Sequence, residues 1–121
     1  MLVKVSQIYV ARNAIQSLAD MKLPIKASYW LARLDSKLLP EWKVADDKRN
    51  ELVKKYGVVG ANKNYTVPAE KLQEFQEEFA AILGQDIEVE AQKIKLSIFG
   101  AMDFPVGEMV ALEPFVDEED A

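Results

Sequence analysis

Apolar residues recur along this chain at helical intervals in three places. After Ser6, the residues Ile8, Ala11, Ile15 and Leu18 are spaced by 3, 4 and 3, which predicts a helix over 7–20 with Ser6 as its N-cap. Leu2–Val5 ahead of it reads as a short strand. Lys22-Leu-Pro-Ile then forms a tight joint, with Pro24 in the first turn of a second helix. Ala27, Leu31, Leu34, Leu38, Trp42, Ala45, Leu52 and Tyr56 recur at helical spacing from there to Gly57, read as a left-handed stop. Pro40 interrupts this run, and an interior proline costs a helix about 3 kcal/mol. At about 100° per residue, however, the apolar positions before and after Pro40 point the same way, and Pro40 lies off their stripe. A loop would scramble that phase. The spacing therefore predicts one helix over 24–56, roughly 50 Å long.

Only a few residues separate these two helices, so they are expected to pack as an antiparallel hairpin. The second overhangs the first, and its surplus apolar length needs another partner, with Tyr29, Trp30 and Trp42 as candidates to meet it. Val58–Lys63 reads as a loop, Tyr65-Thr-Val as a short strand, and Pro68 opens a third helix that ends at Gly84. Leu72, Phe75, Phe79 and Ile82 mark its buried face, and Leu34, Leu38, Phe75 and Phe79 are expected to share one core. Ile87, Val89 and Ala91 alternate with acids, and Ile94, Leu96 and Ile98 with polar residues, so both stretches read as strand, joined by a bulge or a reversal at Gln92. A short final helix starts at Asp103-Phe-Pro and carries Met109, Leu112 and Phe115, with Pro114 ending it. The expected fold is a mainly helical α+β domain. It comprises an antiparallel helical hairpin with one long helix, a third helix, and a small antiparallel sheet or hairpin, all in a single domain over 1–121 with an acidic tail at 117–121.

Charge adds a polarity that the hydrophobic pattern does not show. The net charge is −5, from 15 Lys and Arg against 20 Asp and Glu. Residues 1–67 hold twelve bases and six acids, whereas 68–121 hold three bases and fourteen acids. On the long helix the bases gather into one stripe: Lys22, Lys26, Arg33, Lys37, Lys48 and Lys55 fall within roughly 80° of one another, about 110° from the apolar stripe. A basic half attracts an acidic surface on a partner or on another copy, and head-to-tail pairing of unlike halves builds rings or filaments. The candidate interaction surface is Lys22, Lys26, Arg33 and Lys37 with Trp30 and Trp42.

Candidate chemistry is sparse. The chain has no Cys and no His, which excludes disulfides, thiolate sites and a histidine base. Gly57-Val-Val-Gly-Ala-Asn-Lys-Asn lacks the Gly-Lys-Ser/Thr ending of a phosphate loop and follows a helix. Asp46, Asp47 and Glu51 are better read as members of intrahelical ion pairs than as a cation site. No catalytic residue, cofactor or metal is expected. The chain is read as non-enzymatic, without a membrane span or signal peptide, and nucleic acid is disfavoured as a partner because the basic stripe lacks base-reading side chains.

One resemblance bears on function. Lys22-Leu-Pro-Ile-Lys-Ala-Ser-Tyr, Asp47-Lys-Arg-Asn-Glu-Leu-Val-Lys-Lys-Tyr-Gly57, Phe75-Gln-Glu-Glu-Phe-Ala-Ala-Ile-Leu, Ile87-Glu-Val-Glu and Ala111-Leu-Glu-Pro-Phe-Val occur in an order that resembles a family of short bacteriophage proteins of uncharacterised function. The resemblance spans about residues 22–116. It implies a phage-encoded protein made in the cytoplasm of an infected bacterium, and it transfers no functional residue. Its expected partners are proteins: a phage structural protein, a host complex, or a second copy. The leading expectation is a virion or morphogenesis component of head, neck or tail. The alternative is a soluble early protein that inhibits a host or defence complex.

Overall fold

The computed structural model describes residues 1–100 and 105–117. The first helix, α1 (Val5–Leu18), follows directly from strand β1 (Leu2–Lys4). It begins earlier than the spacing suggests. Lys4 occupies the N-cap position in place of Ser6, and the Gln7 side chain accepts the Lys4 backbone N–H at 2.8 Å. Strand pairing places this boundary, because the chain leaves β1 and enters the helix without a connecting turn. The α1 face is wider than four apolar positions: Val5, Ile8, Ala11, Ala14 and Leu18 are buried together with Arg12.

The second helix, α2 (Ile25–Tyr56), runs unbroken for 32 residues with Pro40 inside it. Ala27, Leu31, Leu34, Leu38 and Ala45 are buried along one side, while Ser36 and Pro40 are both exposed. The carbonyl that loses its donor to Pro40 belongs to Ser36, so water reaches it and the break in the ladder stays on the wet side. The Ser36 hydroxyl donates to the Arg33 carbonyl at 2.7 Å in the same turn. Gly57 ends α2 in extended backbone (φ −88°, ψ 162°), not in the left-handed region. Glycine is needed there for a different reason. Its N–H donates to the Val53 carbonyl at 2.7 Å, and a Cβ at that position would collide with the same oxygen.

The segment after Gly57 is a hairpin and not a plain loop. Strand β2 (Val58–Val59) pairs antiparallel with β3 (Tyr65–Thr66), with Lys63 in the left-handed region of the turn (φ 64°). Helix α3 (Ala69–Leu83) follows and packs across α2. Strand β4 (Asp86–Glu88) then returns to pair antiparallel with β1, Val3 opposite Ile87. Two expectations fail in the next stretch. Strand β5 is only Ile94–Lys95, and Leu96–Phe99 is a 3-10 turn. Nor do β4 and β5 pair with each other. Instead, β5 pairs in parallel with β6 (Val116–Asp117), which follows helix α4 (Val106–Leu112) and a 3-10 turn over Glu113–Phe115. Alternation predicts an extended backbone but not its neighbour, and here the neighbour comes from the end of the chain. The start assigned to the last helix at Asp103, and tail residues 118–121, lie outside the described residues.

The result is a mainly helical α+β fold. Its core joins Ile8, Ala11 and Leu18 of α1, Leu31, Leu34 and Leu38 of α2, and Val89, Ile94, Phe99, Leu112, Phe115 and Val116 from the second half. α4 packs on α1, a pairing that no periodicity announces. Phe75 and Phe79 do not join Leu34 and Leu38 in this core. They are half-buried and form a separate aromatic row, with ring centroids 6.1 Å apart and Phe79 meeting Tyr9 edge-on. Between residues 46 and 88 no side chain is fully buried. The C-terminal turns of α2, the β2–β3 hairpin and α3 therefore form an arm without a core of its own, on which Leu72 is 41% exposed.

Leu38 is fully buried, so Leu38→Ala is expected to cost about 2–5 kcal/mol in a denaturant titration. Amide hydrogen exchange is expected to divide the molecule, with α3 and the C-terminal turns of α2 opening at lower free energy than α1 and the first half of α2. Uniform protection across both parts would show that the arm shares the core's cooperativity.

Candidate functional site

Helical spacing places Tyr29, Trp30, Arg33 and Lys37 on adjoining strips of α2, and the structure joins them. Arg33 Nη1 donates to the Tyr29 hydroxyl at 3.1 Å. The guanidinium carbon also lies 5.4 Å from the Trp30 ring centroid and 5.8 Å from that of Tyr29, and the two rings meet edge-on at 5.6 Å. These contacts hold a long, rotamer-rich side chain against a rigid aromatic pair. Opposite them runs Glu90-Ala91-Gln92, which belongs to no strand. It completes a groove of about 350 Å³ lined by Trp30, Arg33, Leu34, Lys37, Glu90, Ala91 and Gln92. Trp30, Leu34 and Ala91 are its apolar surface, Arg33 and Lys37 supply two positive charges from the helical wall, and Glu90 supplies one negative charge from the wall opposite. That combination suits a carboxylate-bearing protein segment with an apolar side chain beside it.

The other residues of the expected surface divide. Lys26 is exposed one turn before Tyr29, and Lys22 is exposed in the connection ahead of α2 rather than on the helix. Among the described residues, no carboxylate forms an ion pair with Lys22, Lys26, Arg33 or Lys37. The far end of the basic stripe is already paired. Lys48 meets Glu51 at 3.3 Å and Lys55 meets Glu78 at 3.1 Å, and the hydrogen bond to Glu78 holds the Lys55 ammonium above its ordinary pKa.

Trp42 is not part of the groove. It lies 12 positions after Trp30, about 120° round the helix, and faces α1 instead. The Arg12 guanidinium stacks on it at 4.5 Å, and Tyr9 meets it edge-on at 6.2 Å. Arg12 in turn is bound to Asp35, Nε to Oδ1 at 2.9 Å. Tyr9 donates to Asp46 Oδ1 at 3.3 Å. The groups Tyr9, Arg12, Asp35, Trp42 and Asp46 therefore make a polar and aromatic joint where α1 crosses α2. Arg12 looks like a solvent residue in the sequence; only its i−4 and i+3 neighbours, Ile8 and Ile15, signal that it borders the apolar face.

Burial, followed by the charge of Asp46 and the hydrogen bond to it, raises the Tyr9 phenol from 10.0 to about 12, against a smaller opposing effect of Arg49. Among the described residues there is no group of three or more acidic side chains close enough to hold a metal ion, and no helix long and apolar enough to cross a membrane. Comparison with protein families, with characterised proteins and with solved structures gave no match.

The raised Tyr9 pKa carries a sign. A phenol that loses its proton less readily when folded stabilises the fold fully below the unfolded value of 10.0, and that contribution disappears as pH rises toward about 12. A phenolate absorbance titration is expected to show one late-titrating tyrosine that Tyr9→Phe removes. If Tyr9→Phe leaves the titration's highest step in place, the Tyr9–Asp46 contact is not formed in solution.

Proposed function

We propose that this chain is a non-enzymatic bacteriophage protein that acts through protein–protein contacts, as a virion or morphogenesis component of head, neck, tail or assembly. The observation that carries the reading is the first half of α2, where unpaired cations of one sign flank an aromatic pair and an open groove. Aromatic and arginine side chains side by side are the usual anchors of protein interfaces, and uncompensated charge around them steers association. The resemblance to short phage proteins supplies the biological setting, the cytoplasm of an infected bacterium and then the particle. An acidic partner surface is preferred over nucleic acid, since the chain as a whole is acidic and would be repelled by a phosphate backbone.

A second reading rests on α3. Glu70, Glu74 and Glu77 are exposed on one face, and a soluble early protein could present such a face to the nucleic-acid channel of a host or defence complex. Mass spectrometry of purified particles and of assembly intermediates separates the two. A structural or assembly role predicts the protein at fixed stoichiometry in one or the other, with particle yield falling when the gene is removed. Absence from both, with particles assembling normally, would overturn it in favour of the inhibitor.

A further inference from the structure

We propose that copies of this chain associate head to tail, the cationic face of α2 in one copy receiving the acidic face of α3 from the next. This rests on the reading of the α2 face as a contact surface and names what that surface takes. On α2, Lys26, Arg33 and Lys37 lie within an arc of about 40° over about 17 Å, and on α3, Glu70, Glu74 and Glu77 lie within about 60° over about 10 Å. All six side chains belong to exposed residues. Arg33 and Lys37 are four residues apart, as are Glu70 and Glu74, so one alignment of the two helices sets both pairs opposite each other.

The stripes cannot satisfy each other within one molecule. α3 is tied to the far half of α2 by the Lys55–Glu78 ion pair, and Lys55 lies 22 positions beyond Arg33, about 33 Å along the helix axis. That is about four Debye lengths at physiological salt. The acids have only weak engagements of their own. Glu74 meets Lys71 at 3.8 Å and Glu77 accepts from Gln73 at 3.2 Å, both in the open, where such contacts stabilise little. The apolar side of α3 faces away from these acids, toward α2, so docking them leaves the fold of the arm undisturbed. Beside the charges, Trp30 supplies the apolar contact that salt does not screen. Since the two faces differ, one on the first half of α2 and the other on α3 against its second half, the contact is heterologous and repeats as an open chain or a ring.

The experiment is sedimentation velocity on three purified chains, each first shown to be folded by circular dichroism. These are the natural protein, a basic-face variant (Lys26→Glu with Arg33→Glu) and an acidic-face variant (Glu70→Lys with Glu74→Lys). At about 100 µM in about 50 mM salt, where screening is weak, the natural protein is expected to sediment as oligomers, and at about 500 mM its association should weaken at least tenfold. Each variant alone should be a monomer. An equimolar mixture of the two should regain oligomers of alternating copies, because the natural contact forms between one pair of faces and its charge-reversed counterpart between the other. Carrying all four reversals in one chain should restore oligomers. A natural protein that is monomeric at low salt overturns the proposal. So do variants that assemble like the natural protein, or a mixture that remains monomeric. None of these results depends on whether the protein enters particles, so the proposal can fail while the particle role stands, and the reverse.

Discussion

The continuity of α2 through Pro40 is the constraint on which the rest of the molecule depends. A proline inside a helix removes one hydrogen bond and presses on the preceding turn. Here that damage falls on the exposed side at Ser36 and Pro40, while Leu34 and Leu38 lie buried on the other. The helix therefore remains one rod. Its first half closes the core against α1, and its second half carries the hairpin and α3, which reaches the body through Phe79 on Tyr9. A loop at Pro40 would free the two halves to fold back on one another and would abolish the separation of charge along the axis.

The two halves differ physically. The body gathers nearly all fully buried side chains, drawn from β1, α1, the front of α2 and the chain after Val89. The arm holds together by partly buried contacts: Phe75 on Phe79, Phe79 on Tyr9, and the Lys55–Glu78 pair at its surface. The joint between them is unusually polar for so enclosed a place. Arg12 is nearly buried, yet it is stacked on Trp42 and bonded to Asp35, so its charge is compensated where it is desolvated. Its neighbour Tyr9 links α1 to both Asp46 and Phe79. A second link joins the arm to the body at the end of α3, where Val5 donates its N–H to the Gln85 carbonyl at 3.0 Å.

Separation along the rod also organises the surface. Among the described residues the cations on the front of α2 form no ion pair, because Asp35 of the same helix is bound to Arg12 and α3 lies against the far half of α2. Had α3 packed on the front of α2 instead, the same charges would have cancelled internally and left no contact face. The groove beside Trp30 adds shape to that charge. One wall is helical and comes from α2; the other is the irregular segment Glu90–Gln92, positioned because Val89 donates its N–H to the Met1 carbonyl at 2.8 Å next to the β1–β4 ladder.

Sequence alone was sufficient for the features set by local periodicity. The lengths of α2 and α3, the passage through Pro40, the buried leucines of α2 and the cationic stripe all follow from residues spaced by 3 and 4, since a helix converts spacing directly into direction. It was also sufficient to bring Trp30, Arg33 and Lys37 together. It could not separate Trp42 from them, because that requires knowing that α1 lies on Trp42's side. Nor could it show that Phe75 and Phe79 miss the core, that Gly57 is needed for a close approach and not for a left-handed turn, or that Leu96–Phe99 coils as a 3-10 turn. The pairings of β1 with β4 and of β5 with β6, and the packing of α4 on α1, join residues some 20 to 100 positions apart. Such contacts are chosen by which surfaces remain to be covered once the helices have met, and that competition exists only in three dimensions.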